Sequence, residues 1–165
     1  MAAAAPDAPG GLAALVRPDA VLLRPTAPDA EQLIRALAMP LVRAGDARPS
    51  MPAAAIERER EHPTGLLLSP DGPNAAIPHA DREHVVRSAV AIAVLDDPVG
   101  FHRMDAPAER IPVRLVILLA LADADSQLAA LREVGAILQD PDRVAGILAA
   151  RDTSGVLAAL RGAAE

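Results

Sequence analysis

The chain reads as an α/β protein: a single layered domain in which a mixed sheet of about five strands is flanked by helices. Three observations predict this. Segments with helical periodicity alternate with short aliphatic runs along the chain. Two of those runs, 90–95 and 113–119, are apolar enough for strands in a sheet interior. At 165 residues there is about one domain's worth of chain.

The elements follow in order. Residues 1–18 are rich in Ala, Pro and Gly and are expected to form a flexible tail, leaving 19–165 as the domain. Ala20–Leu23 makes a first short strand. Thr26, ahead of Pro28, Asp29 and Glu31, marks a helix start, and Leu33, Ile34, Leu37, Leu41 and Val42 recur at helical spacing until Gly45 closes the segment. A second helix begins at Ser50, with Pro52 in its first turn, and runs to Glu61, where Pro63-Thr-Gly65 turns the chain.

Leu66–Leu68 reads as a strand and Ser69–Asn74 as a turn. Ala75–Ile77 is a short strand that Pro78 stops or places at an exposed end. In 85–95, Val90, Ile92 and Val94 alternate with Ala91 and Ala93, which predicts a strand with one bulky and one small face. Val113, Leu115, Ile117 and Leu119 form the next strand, buried on both faces. Asp125 or Ser126 caps a helix to Leu138, Asp140-Pro-Asp142 opens another to about Ala150, and Asp152 or Thr153 opens the last, which ends near Gly162.

Composition excludes several classes of function. There is no Cys, so no disulfide framework, thiol nucleophile or Cys-ligated metal is available. The net charge is −6 and the basic residues are scattered, which argues against nucleic acid as a partner; Phe101, the single aromatic, limits base stacking further. The longest strongly apolar run, 115–122, is far short of the roughly 20 residues that span a bilayer. A cytoplasmic domain with no direct membrane insertion is expected. With 38 Ala and so few aromatics, the core is built from Leu, Ile and Val.

Four histidines carry the candidate chemistry. His79 has the strongest placement, because Pro78 locks its own φ and pushes Ile77 extended, so an apolar strand delivers the imidazole stiffly at its mouth. Histidine is nucleophilic near neutral pH and suits group transfer. His79, Asp81 and His84 also lie within six residues, a spacing that allows an alternative reading as a metal-dependent hydrolase. His62 follows the second helix, and His102 lies in a segment anchored by Phe101. The mixed run Glu57–Glu61 reads as a solvated helix face, yet it ends at the turn leading to His79, where an arginine suits a phosphoryl group.

In order and spacing, Ile56-Glu-Arg-Glu59, Pro63-Thr-Gly65, Ala76-Ile-Pro-His79, Pro98-Val-Gly-Phe101 with Met104-Asp105, and the strand 113–121 leading into Gln127-Leu-Ala-Ala-Leu131 form a set. Over residues 20–162 it resembles the enzyme IIA domains of the bacterial sugar phosphotransferase system, fructose–mannitol superfamily, with the galactitol-type branch nearest. The resemblance implies a phosphohistidine carrier. His79 takes the phosphoryl group from phospho-HPr and passes it to a cysteine of a cytoplasmic IIB partner, which works with a membrane IIC subunit. No cofactor and no metal are implied.

By the same resemblance Arg58 stands beside the site. Gln127 occupies the position where mannitol and fructose relatives carry a second histidine, a departure that favours the galactitol-type branch. Thr64 contributes its hydroxyl or shapes the turn. Around His79 an apolar docking patch is expected, with Ala75, Ala76 and Ala80 leaving room for a partner. An alternative role is regulatory, in which the phosphorylation state of the same histidine controls protein partners instead of feeding transport.

Overall fold

The computed structural model describes residues 11–70 and 72–162. Its sheet has five strands in the order β1-β4-β5-β3-β2. They are β1 (Val16–Leu23), β2 (Gly65–Leu66), β3 (Ala75–Ala76), β4 (Ala89–His102) and β5 (Arg110–Ala120). The sheet is mixed: β1 runs parallel to β4 and β3 parallel to β5, whereas β4–β5 and β2–β3 are antiparallel. The helices are α1 (Gly11–Leu15), α2 (Ala30–Arg43), α3 (Met51–Glu61), α4 (Ala124–Leu138), α5 (Pro141–Ala149) and α6 (Thr153–Arg161).

The alternation in β4 decides the layering. Val90, Ile92 and Val94 face one side and join Leu115, Ile117 and Leu119 of β5 in a core closed by α1, α4, α5 and α6. Ala91 and Ala93 face the other side, against α2 and α3, where Leu37, Leu41, Met51 and Ile56 fill the space. The register compensates for size: Ala91 pairs with Leu118 and Ala93 with Val116, so each small residue lies beside a larger one. The two faces expected from the sequence are both present, and both are buried.

Caps place the helices. Asp29 accepts from the Gln32 amide at 2.8 Å, so α2 begins just after Asp29 instead of at Thr26, and Gly45 leaves it at a φ of 83° that side chains disfavour. Asp123, not Asp125 or Ser126, caps α4 by accepting from the Ser126 amide at 2.7 Å. Asp140 and Asp152 cap α5 and α6 as expected.

Two boundaries move. The tail expected over 1–18 ends earlier than the composition suggests: Leu12, Ala13 and Val16 are buried, and α1 and β1 already occupy 11–18. Their apolar side chains are few but sit on one face, and Glu133 of α4 accepts from the Leu12 amide at 2.8 Å. Residues 1–10 lie outside the described residues. The strands β2 and β3 are only two residues each, shorter than the expected 66–68 and 75–77. β2 starts at Gly65, which has no room for a side chain: a Cβ there would lie 2.6 Å from the His102 carbonyl oxygen.

Candidate functional site

The site grows from the end of β3. Strand pairing stops at Ala76, but the chain continues beside β5, with the Leu119 amide donating to the Pro78 carbonyl at 3.0 Å and His79 bridging to Leu119. Pro78 therefore ends the strand in a buried position, not at an exposed one. Leaving the strand there, His79 is half-buried and its Nδ1 lies 3.0 Å from the Ile77 carbonyl oxygen. A carbonyl only accepts, so Nδ1 carries the proton and Nε2 the lone pair. Nε2 has no hydrogen-bond partner among the described residues, so its lone pair is free.

Burial lowers the His79 pKa, the Ile77 hydrogen bond opposes that shift, the Arg58 charge adds to it, and Asp81 opposes it. The net direction is downward, so the imidazole is neutral, and nucleophilic, at neutral pH.

Arg58 comes from the last turn of α3 and reaches Asp81 at 3.4 Å. Its Nε is buried and has no partner among the described residues, a costly state for a guanidinium N–H. Gln127, at the start of α4, lines a small cleft with His79, Ala80, Leu119, Leu121 and Leu131. Its volume of about 10 Å³ holds about one water. Thus His79 and Gln127, far apart in sequence, share one cleft, while Arg58 reaches Asp81, two residues beyond His79, and its charge acts on the imidazole.

Thr64 does not face the open site. It is buried; its hydroxyl donates to Glu59 at 2.8 Å and accepts from the Ile77 amide at 3.2 Å. The turn role is the one the geometry favours, and it reaches the backbone that holds His79. Nothing in the sequence separates Glu59 from the other acids of the Glu-Arg-Glu segment; in the fold it is half-buried and holds Thr64 by two hydrogen bonds, whereas Glu57 and Glu61 are exposed.

The metal reading does not survive. No group of three or more His, Cys, Asp or Glu among the described residues is arranged to hold a metal ion. His84 turns to Ser50 at 2.8 Å, Asp81 to Arg58, and the Nδ1 of His79 to its own backbone. Proximity in sequence is undone by the tight turn over 82–84, which sends His84 away from His79. His62 is exposed at the end of α3, and His102 is held by the Pro107 carbonyl at 2.9 Å. Ala75, Ala76 and Ala80 are buried in the two cores and offer no open surface; the exposed apolar side chain next to Gln127 is Leu128.

Fold and site together define an α/β domain that presents one free imidazole nitrogen at the mouth of a mixed sheet, flanked by an arginine with an unused donor. The family model described as "Phosphoenolpyruvate-dependent sugar phosphotransferase system, EIIA 2" matches residues 14–162, and the chain belongs to that family. It is 34% identical over 150 residues to a multiphosphoryl transfer protein of Xanthomonas campestris pv. campestris, covering 89% of this chain but only 16% of that protein's length. It is 30% identical over 125 residues to a galactitol-specific EIIA component of Escherichia coli, covering 76% of this chain and 81% of that one. Among solved structures, the complex of enzyme IIAMTL and phosphorylated enzyme IIBMTL from Escherichia coli superposes with a TM-score of 0.71 at 23% identity, over 89% of this chain and 97% of that chain. Among the described residues no helix is long and apolar enough to cross a membrane.

Proposed function

We propose that the chain is the phosphohistidine station of a sugar phosphotransferase relay, with His79 as the acceptor. The observation that carries this is the His79 ring, with Nδ1 tied to Ile77 and Nε2 left free beside Arg58. The Nε2 lone pair attacks phosphorus on phospho-HPr; the new N–P bond forms as the bond to HPr breaks. In the second step a cysteine thiolate of IIB attacks the same phosphorus and the imidazole leaves, regaining its neutral form. No proton need be moved at His79 in either step, because Nδ1 keeps its own.

Catalysis is positioning and charge stabilisation. Arg58 places a fixed positive charge and spare donors beside the phosphoryl oxygens, and Gln127 offers an amide donor that does not titrate. The solved complex of a similar fold with phosphorylated IIB supports a IIB-type acceptor; a membrane IIC subunit would complete the path. Gln127 and the identity to a galactitol-specific component support the galactitol-type branch, with a polyol as the transported sugar.

The test is labelling by phosphoenolpyruvate through enzyme I and HPr. The wild type should take one phosphate and His79→Ala none, with its circular dichroism unchanged. Labelling that survives the substitution sinks the assignment. Competition by galactitol and other polyols in an uptake assay with the cognate IIB and IIC tests the branch.

A further inference from the structure

The carboxylate of Glu59 behaves unlike the run around it. Glu57, Arg60 and Glu61 are partly or fully exposed at the surface, whereas Glu59 turns inward toward the loop that follows α3. Its Oε2 accepts from the Thr64 amide at 2.9 Å and its Oε1 from the Thr64 hydroxyl at 2.8 Å. Because an ionised carboxylate only accepts, the hydroxyl proton must point at Glu59. The lone pairs of Thr64 Oγ1 are then left for the Ile77 N–H, which reaches them at 3.2 Å. The carbonyl of that same Ile77 takes the Nδ1 proton of His79 at 3.0 Å. A directed series of hydrogen bonds thus runs from a carboxylate on α3 to the imidazole on the far side of the loop.

The direction matters. Without the carboxylate, the hydroxyl is free to rotate and Thr64 loses its anchor on α3, so the Ile77 amide is held less firmly by Oγ1 and by its longer contact of 3.4 Å to the Thr64 carbonyl. Ile77 would then no longer be held with its carbonyl aimed at His79, and either ring nitrogen could carry the proton. Burial raises the Glu59 pKa and outweighs the two Thr64 donors and the His102 and Arg58 charges that pull it down, so the net direction is upward, and the two Thr64 donors are what favour the carboxylate form.

We propose that Glu59, acting through Thr64, is a positioning residue for phosphoryl transfer: it locks the Ile77 backbone and thereby selects the His79 tautomer whose Nε2 is free. The proposal rests on reading His79 as the phosphoryl acceptor. Glu59 touches neither the phosphoryl group nor the ring, so its effect is on orientation and tautomer.

The experiment pairs two readouts on the full chain. Nitrogen-15 NMR of the unphosphorylated protein reads the His79 tautomer, and HPr-dependent labelling reads the transfer rate. The wild type should show a single tautomer protonated at Nδ1. Glu59→Ala and Thr64→Val should mix the tautomers and slow labelling by about tenfold to a hundredfold, the scale of a small misplacement. Thr64→Ser should restore both. Glu59→Gln, nearly isosteric and therefore the variant that keeps the fold, should give an intermediate loss, because it has one acceptor oxygen for two donors.

Folded variants with the wild-type tautomer and rate overturn the proposal, as does a Thr64→Ser chain no better than Thr64→Val. The tautomer readout needs no phosphoryl donor. A wild-type chain that takes no label therefore overturns the carrier reading, whereas a labelled wild type with unmoved tautomers in Glu59→Gln overturns only the role of Glu59.

Discussion

The Nδ1 of His79 lies 3.0 Å from the carbonyl oxygen of Ile77, two residues back in the chain. Pro78, between them, is what makes so short a loop stable: its ring restricts the turn, and its carbonyl is held by the Leu119 amide of β5. The sheet therefore anchors the loop that carries the ring. On the proposed carrier role, the nitrogen expected to take the phosphoryl group is Nε2. Phosphorus-31 and nitrogen-15 NMR of the labelled protein should show a single Nε2–P linkage, and an Nδ1–P linkage would contradict the geometry.

Arg58 should matter for rate and for the imidazole pKa together. Its charge depresses the His79 pKa, so Arg58→Ala should raise that pKa in an NMR titration. If Arg58 clamps the phosphoryl group as proposed, the same substitution should slow transfer by about a hundredfold, in the range of losing a preorganised charged donor. A slowed variant with an unmoved pKa would place Arg58 away from the ring.

The pH dependence has a definite sign. With its folded pKa below the ordinary 6.5, His79 binds fewer protons folded than unfolded in the window between the two values. Its contribution to stability is therefore complete above about pH 6.5 and declines as pH falls through that window. Transfer should persist further into acid than an ordinary histidine allows, then fall as the ring protonates. His79→Gln should flatten the stability profile between those limits, measured by urea titration at several pH values.

Gln127 lines the cleft with His79 and carries no charge. Gln127→Ala should slow transfer by up to about tenfold, the worth of one neutral hydrogen bond, and leave the His79 tautomer unchanged. Placing an imidazole there by Gln127→His reports on the same cleft: a change in rate marks the position as part of the site, and an unchanged rate places it outside.

The fold should be most sensitive where β4 and β5 pair. Ile117, fully buried and paired with Ile92, packs under α4–α6. Ile117→Ala should cost about 2–5 kcal/mol by urea denaturation. Asp46 is a second, acid-sensitive point: it is buried, joined to Arg17 and to Arg87, and its pKa is lowered chiefly by the Arg17 hydrogen bond. The stability it lends is present above its unfolded pKa and is lost as pH falls through its lowered folded value. Asp46→Asn should lower the melting temperature at neutral pH and narrow the difference between neutral and acidic conditions.

Much of this molecule was legible from residue order alone. Periodicity and capping residues placed most helices to within a few positions, because a helix is stabilised by neighbours in sequence. The alternation of Val90, Ile92 and Val94 with alanines foretold two unequal faces, and Pro78 marked His79 as a rigidly delivered imidazole. The short segments were harder. The boundary near residue 11 and the two-residue strands β2 and β3 exist only because distant strands and helices cover them, which no local pattern records.

The site divides the same way. Sequence by itself singled out His79 as the candidate imidazole and determined the absence of a thiol in the chain and the motif order that marks the family. Only tertiary structure decided that Asp81 pairs with Arg58 instead of joining His84 around a metal, that Ala75, Ala76 and Ala80 are core, and that Glu59 looks inward. Those outcomes depend on which side chains lose their water when the layers close. A carboxylate in a charged run is the same letter whether solvated or buried, and what separates Glu59 from Glu57 is two hydrogen bonds from Thr64, supplied by a loop that exists only in the folded chain.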